Sequence, residues 1–91
     1  MESVETLIDA ASKRIGSRRK LADAIGEDAS FLTRINMGVK PMPPGVAALC
    51  AEHAETDPRE AALEAVVNAE ADLTKRAHLA RLLHVKNWRK R

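Results

Sequence analysis

Apolar residues recur at intervals of three and four along most of the chain, the spacing of one face of an α-helix. Leu7, Ile8, Ala11 and Ile15 predict a first helix over about Val4–Ile15, with Ser3 and Thr6 near its start and Gly16 at its end. Ser17 fits the N-cap of a second helix, about Arg18–Ile25, whose inner face carries Leu21, Ala22 and Ile25. Gly26 suits a chain reversal at positive φ. Asp28 then caps a third helix, about Ala29–Asn36, that buries Leu32 and Ile35 and closes at Gly38. Pro41, Pro43 and Pro44 bar helix until a restart over about Pro44–His53, with Val46, Leu49 and Cys50 inward. Thr56 or Asp57, Pro58 and Glu60 open a fifth helix that the pattern carries as far as Ala71. Leu73, Ala77, Ala80, Leu83 and Val85 continue the helical spacing, and the pattern admits either one long helix or a sixth one capped by Asp72 or Thr74. The tail from Lys86 has no apolar periodicity and reads as frayed.

No alternating run of β-branched residues marks a strand, so the expected class is all-α. Composition agrees: Ala, Leu, Arg, Lys and Glu dominate, and these side chains lose little freedom in a helix. A chain of 91 residues suits one small domain with a modest core, which favours oligomerisation as a source of stability. The net charge of +2 hides a segregation. Residues 1–40 hold seven Lys/Arg against six Asp/Glu, residues 52–72 one against seven, and residues 73–91 seven against none. One cysteine forms no intramolecular disulfide, no apolar run approaches membrane-spanning length, and the start of the chain is acidic rather than a basic signal region. These features lead us to expect a cytoplasmic protein that does not insert in a membrane.

The stretch Ser17–Gly38 carries the chemistry. Two short helices joined by a turn with Gly suit a helix-turn-helix, with Leu21, Ile25, Leu32 and Ile35 locking the pair. The outer face of its second helix, Ala29, Ser30, Thr33 and Arg34, is short or basic, as entry into a major groove requires. Arg18, Arg19 and Lys20 stand at the start of the first helix of the pair, where cations oppose the helix dipole by a few tenths of a kcal/mol. Selection for helix stability alone would put acids there, so the run reads as a phosphate clamp.

The segment "KLADAIGEDASFLTRINMG" resembles the Cro/CI-type, lambda-repressor-like helix-turn-helix of phage and bacterial repressors. Leu21-Ala22, Gly26, the capping Asp28, Leu32, Thr33 and Gly38 carry the likeness, and "VKPMPPGVAALCAEHAETDP" resembles the segment that follows in such proteins. The likeness spans about two thirds of the chain, roughly residues 4–67. It implies a bundle of about five helices with a C-terminal helical extension: a DNA-binding domain over residues 1–70, and an extension with a basic tail over 71–91. It further implies a sequence-specific transcriptional regulator that binds double-stranded DNA and represses by occluding a promoter. By position, Arg18 would grip the backbone with Arg19, Lys20 and Lys40. Ala29, Ser30, Phe31, Thr33 and Arg34 would line the groove. Glu27 and Asp28 depart from the usual aliphatic-then-Ser, Phe31 from a small or polar residue, and Ala29 from a long amide side chain.

The leucines beyond the motif exceed what five helices need. Leu73, Leu79, Leu82 and Leu83 are therefore expected at a homodimer interface, which would double the contacts to an operator. Trp88 with Lys86, Arg89, Lys90 and Arg91 reads equally as a second DNA-contacting arm or as a solvated tail. Cys50 and His53 share a helix face, but no second Cys accompanies them; core packing is the expectation, with no metal and no cofactor. No nucleophile–His–carboxylate spacing and no Gly-rich phosphate loop point to an enzyme. The alternative function is a protein-interaction module, an antirepressor or adaptor, in which Phe31, Glu27 and Asp28 meet another protein.

Overall fold

In a computed structural model that describes residues 4–88, the chain forms six α-helices. They are α1 (Val4–Ile15), α2 (Arg18–Ile25), α3 (Ala29–Asn36), α4 (Pro44–His53), α5 (Pro58–Asn68) and α6 (Leu73–Leu82). The described residues contain no strand. The cap expected at Ser3, and the part of the tail formed by Arg89, Lys90 and Arg91, fall outside the described residues.

Side-chain oxygens set where the helices begin. Ser17 Oγ accepts from the Lys20 amide at 3.1 Å and Asp28 Oδ1 from the Ser30 amide at 3.2 Å. Asp57 Oδ1 takes the Arg59 and Glu60 amides at 2.9 and 3.4 Å, and Asp72 Oδ1 takes those of Thr74 and Lys75 at 2.9 and 3.0 Å. Each such cap contributes about 1 kcal/mol. Asp72 also resolves the choice left open by the apolar pattern: α5 stops at Asn68, short of Ala71, and α6 starts anew. The intervening turn is pinned by Arg76 Nε, which donates to the Glu70 carbonyl at 2.8 Å. The Asp72 amide donates to Glu70 Oε2 at 3.0 Å.

A left-handed residue closes four helices. Gly26 (φ 74°) and Gly38 (φ 80°) end α2 and α3, so that the Glu27 amide reaches the Ala22 carbonyl and the Val39 amide that of Arg34, both at 2.9 Å. Glu55 (φ 58°) and His84 (φ 57°) do the same for α4 and α6, where no glycine is present.

Leu7, Ile8, Leu21, Leu32 and Cys50 lie at the centre of the main core, to which α1 to α5 all contribute. Burial pushes the Cys50 thiol up to about 11, so it stays protonated and inert at neutral pH. A second, smaller cluster of Val67, Ala80 and Val85, edged by Leu63, Leu79, Leu83 and Trp88, fastens α6 to α5. Among the described residues α6 packs on no other helix. No helix among them is long and apolar enough to cross a membrane.

Three expectations change. Leu49 is 44% exposed, because Val46, Ala47, Cys50 and Ala51 take the inner face of α4 and rotate it to the side. Leu73 and Ala77 are exposed, because Leu79, Ala80 and Leu83 set the rotation of α6. Trp88 is not frayed; it packs half-buried on the second cluster.

A side chain at φ near +60° costs about 1 kcal/mol. His84→Gly should therefore raise the unfolding free energy by up to about 1 kcal/mol. Urea denaturation would read this; a loss of stability would contradict the geometry at the end of α6.

Candidate nucleic-acid interface

The packing of α3 determines what it shows to solvent. Leu32 and Ile35 are buried, and Ala29 and Phe31 rest half-buried against the main core. The opposite side carries Ser30, Arg34 and Met37, all exposed and spaced at four and three residues, hence in line on a helix. Met37 is the member that the motif did not single out; it is 72% exposed. Its signal was present in the spacing of Ser30, Arg34 and Met37, but its apolar character and its place next to Gly38 concealed it. The Arg34 guanidinium lies over the Phe31 ring, 6.0 Å from the centroid, at the outer limit of a cation–π contact. Phe31 is thus both an edge of the core and a support for Arg34.

Arg18 has a different setting from the other expected phosphate contacts. Its Nη2 lies 3.1 Å from Asp9 Oδ1 on α1, and its Nη1 donates to Thr33 Oγ1 on α3 at 3.2 Å. Asn36 Nδ2 donates to the same Asp9 oxygen at 3.1 Å. Thr33 in turn donates to the Ala29 carbonyl at 3.1 Å. One polar network therefore ties α1, α2 and α3 together. It leaves the Arg18 Nε buried and without a hydrogen-bond partner among the described residues, and it engages the Thr33 hydroxyl both as donor and as acceptor. Arg18 and Thr33 act here as struts that hold α3 in place.

Arg19, Lys20 and Lys40 are exposed, and none forms an ion pair with a described side chain. Lys20 folds back over Gly16, where an added Cβ would stand 3.3 Å from its Cδ and Nζ. Arg19 borders an open depression between α2 and α3 that is also lined by Asp23, Glu27 and Asp28. This corner carries three carboxylates to one guanidinium, whereas the start of α2 and the loop after α3 carry cations. Phosphate is attracted to Lys20 and Lys40, and at Arg19 the attraction of the guanidinium is reduced by the three neighbouring carboxylates.

The four leucines expected at one interface do not share a face. Leu79 and Leu83 pack on α5, while Leu73 and Leu82 are 48% and 61% exposed. The interval from Leu73 to Leu82 is about two and a half helical turns, which sets them on opposite flanks of α6.

Compared with models of protein families, with curated proteins and with solved structures, the chain matches none. The arrangement of residues carries the functional argument by itself.

The Asp9–Arg18 pair is part-exposed, so its coupling should be small, about 0.2–1 kcal/mol, and should shrink as salt is added. A double-mutant cycle with Asp9→Ala and Arg18→Ala, read by urea denaturation at low and high salt, measures it. A coupling of zero at low salt would remove the strut.

Proposed function

We propose that the chain is a sequence-specific DNA-binding regulator, a repressor of the Cro/CI kind, with α2 and α3 as its helix-turn-helix. One observation carries the reading: α3 presents Ser30, Arg34 and Met37 to solvent, while Arg19 and Lys20 on α2 and Lys40 in the loop after α3 are exposed and form no ion pair with a described side chain. In the major groove a serine hydroxyl and a guanidinium read base edges, and Arg34 has the geometry for the O6 and N7 acceptors of guanine. Arg19, Lys20 and Lys40 hold phosphates and set the register. Arg18 contributes mainly by fixing α3 and reaches phosphate only by leaving Asp9. Met37 adds apolar contact at the groove edge, the role first expected of Phe31.

A second copy completes the reading, because one small module buries too little against DNA for tight binding. Two protomers would meet half-sites about 34 Å apart. The pairing surface includes Leu73 or Leu82 but not both in one stripe. The proposed working location is the bacterial cytoplasm, where the operator would be found.

The acidic corner of Asp23, Glu27 and Asp28 favours a second reading, in which this face docks a basic protein partner and the chain acts as an adaptor. Salt titration separates the two. DNA binding predicts that log affinity for duplex falls linearly with log salt, and that Arg19→Ala and Lys20→Ala each lower the slope by about 0.9. Arg34→Ala should weaken a selected site by about 1–3 kcal/mol while leaving binding to random duplex nearly unchanged. No duplex binding at low salt would overturn the first reading and favour the second.

A further inference from the structure

A second cationic surface lies on α6. Leu79, Ala80 and Leu83 hold its inner side against α5, so its rotation is set by packing rather than by charge. Thr74, His78 and Arg81 then fall in line on the outer side, with Lys75 beside them and Lys86 just past the C-terminal turn; all five are exposed. Lys75, Arg81 and Lys86 form no ion pair with a described side chain. Two acids stand near the start of this face and accept backbone amides while keeping their charge. Glu70 Oε2 accepts the Asp72 amide, though Glu70 borders the same shallow depression as Lys75 and His78. Asp72 Oδ1 caps the helix by accepting the Thr74 and Lys75 amides. From residue 73 to the end of the chain there is no acid at all.

Helix stability explains Arg81, which lies in the last turn and complements the dipole. It does not explain Lys75 in the first turn, where a cation opposes the dipole and only the capping Asp72, three residues earlier, offsets it. The seven acids of residues 52–72 border this face along the chain, so a polyanion is drawn to α6 and turned away from its neighbour. Trp88, seated on the cluster beneath, fixes the chain just beyond Lys86.

We propose that the outer face of α6, through Lys75, Arg81 and Lys86, is a second binding surface for the phosphate backbone of duplex DNA. It is separate from the α3 face, since among the described residues α6 packs on α5 alone while α3 packs on α1 and α2. It extends the reading above but does not depend on which bases α3 contacts.

The test uses the full chain and a duplex of random sequence, with affinity measured by fluorescence anisotropy across a salt series. The variant Lys75→Gln/Arg81→Gln/Lys86→Gln should lower the salt slope by about 2.7 and weaken low-salt binding at least tenfold. The charge-keeping variant Lys75→Arg/Arg81→Lys/Lys86→Arg should bind like the parent, and circular dichroism of both variants checks that α6 still forms. An unchanged slope in the Gln variant, with Arg19→Gln/Lys20→Gln still weakening binding, would overturn the α6 surface and leave the α3 reading standing. The reverse pattern would support α6 and overturn α3. Equal loss from the Gln variant and from its charge-keeping counterpart would show that shape, not charge, matters and would also overturn the proposal. So would tight, α6-dependent binding to phosphatidylserine vesicles with none to duplex.

Discussion

Burial of Leu32 and Ile35 constrains the rest of the molecule. Both side chains are buried in the main core, and α3 packs there on α1 and α2. Truncating a core leucine of this kind costs about 2–5 kcal/mol, far more than any surface pair contributes. Because an α-helix has only one rotation that buries both residues, the side of α3 that faces solvent is decided by the core. Ser30, Arg34 and Met37 are outside for that reason, and their alignment does not depend on any interaction they make themselves.

The Asp9–Arg18–Thr33–Asn36 network refines this placement rather than creating it. Its members are part-exposed or exposed, so its energy is modest, but it fixes the angle between α2 and α3 by joining both to Asp9 on α1. Arg18 thereby changes from a free cation into a brace. Among the cations that form no ion pair with a described side chain, Arg19, Lys20 and Lys40 lie on α2 and in the loop after α3, and Lys75, Arg81 and Lys86 lie on α6 and just after it. Between them runs the acidic segment of α4 and α5. Charge segregated in this way does little for folding and much for orienting a polyanion.

Much of the fold was legible in the amino-acid sequence because its punctuation is local. Ser17, Asp28, Asp57, Gly26 and Gly38 bound their helices where cap chemistry says they should. The ends closed by Glu55 and His84 carry no such sign, since neither is a glycine and side chains of their kind seldom adopt the left-handed region in which they sit. The orientation of α6 was equally hidden. Leucines flank it on several sides, and only contact with Val67 and Leu63 selects Leu79 and Leu83 as the inner pair. At the candidate site, Arg19, Lys20, Ser30, Arg34 and Lys40 were legible as exposed groups of the expected type. The engagement of Arg18 and Thr33 was not, because it depends on Asp9 arriving from another helix. Met37 was missed because an apolar residue beside a closing glycine reads as a helix end.

The central claim is that duplex DNA docks on the outer side of α3. It is tested most directly by following backbone amide resonances of the labelled full chain as duplex is added at low salt. The account predicts that Ser30, Arg34 and Met37 shift together with Arg19 and Lys40, while amides of the core face of α4 stay still. Shifts that spare residues 29–40 entirely, in a chain that does bind the duplex, would contradict it.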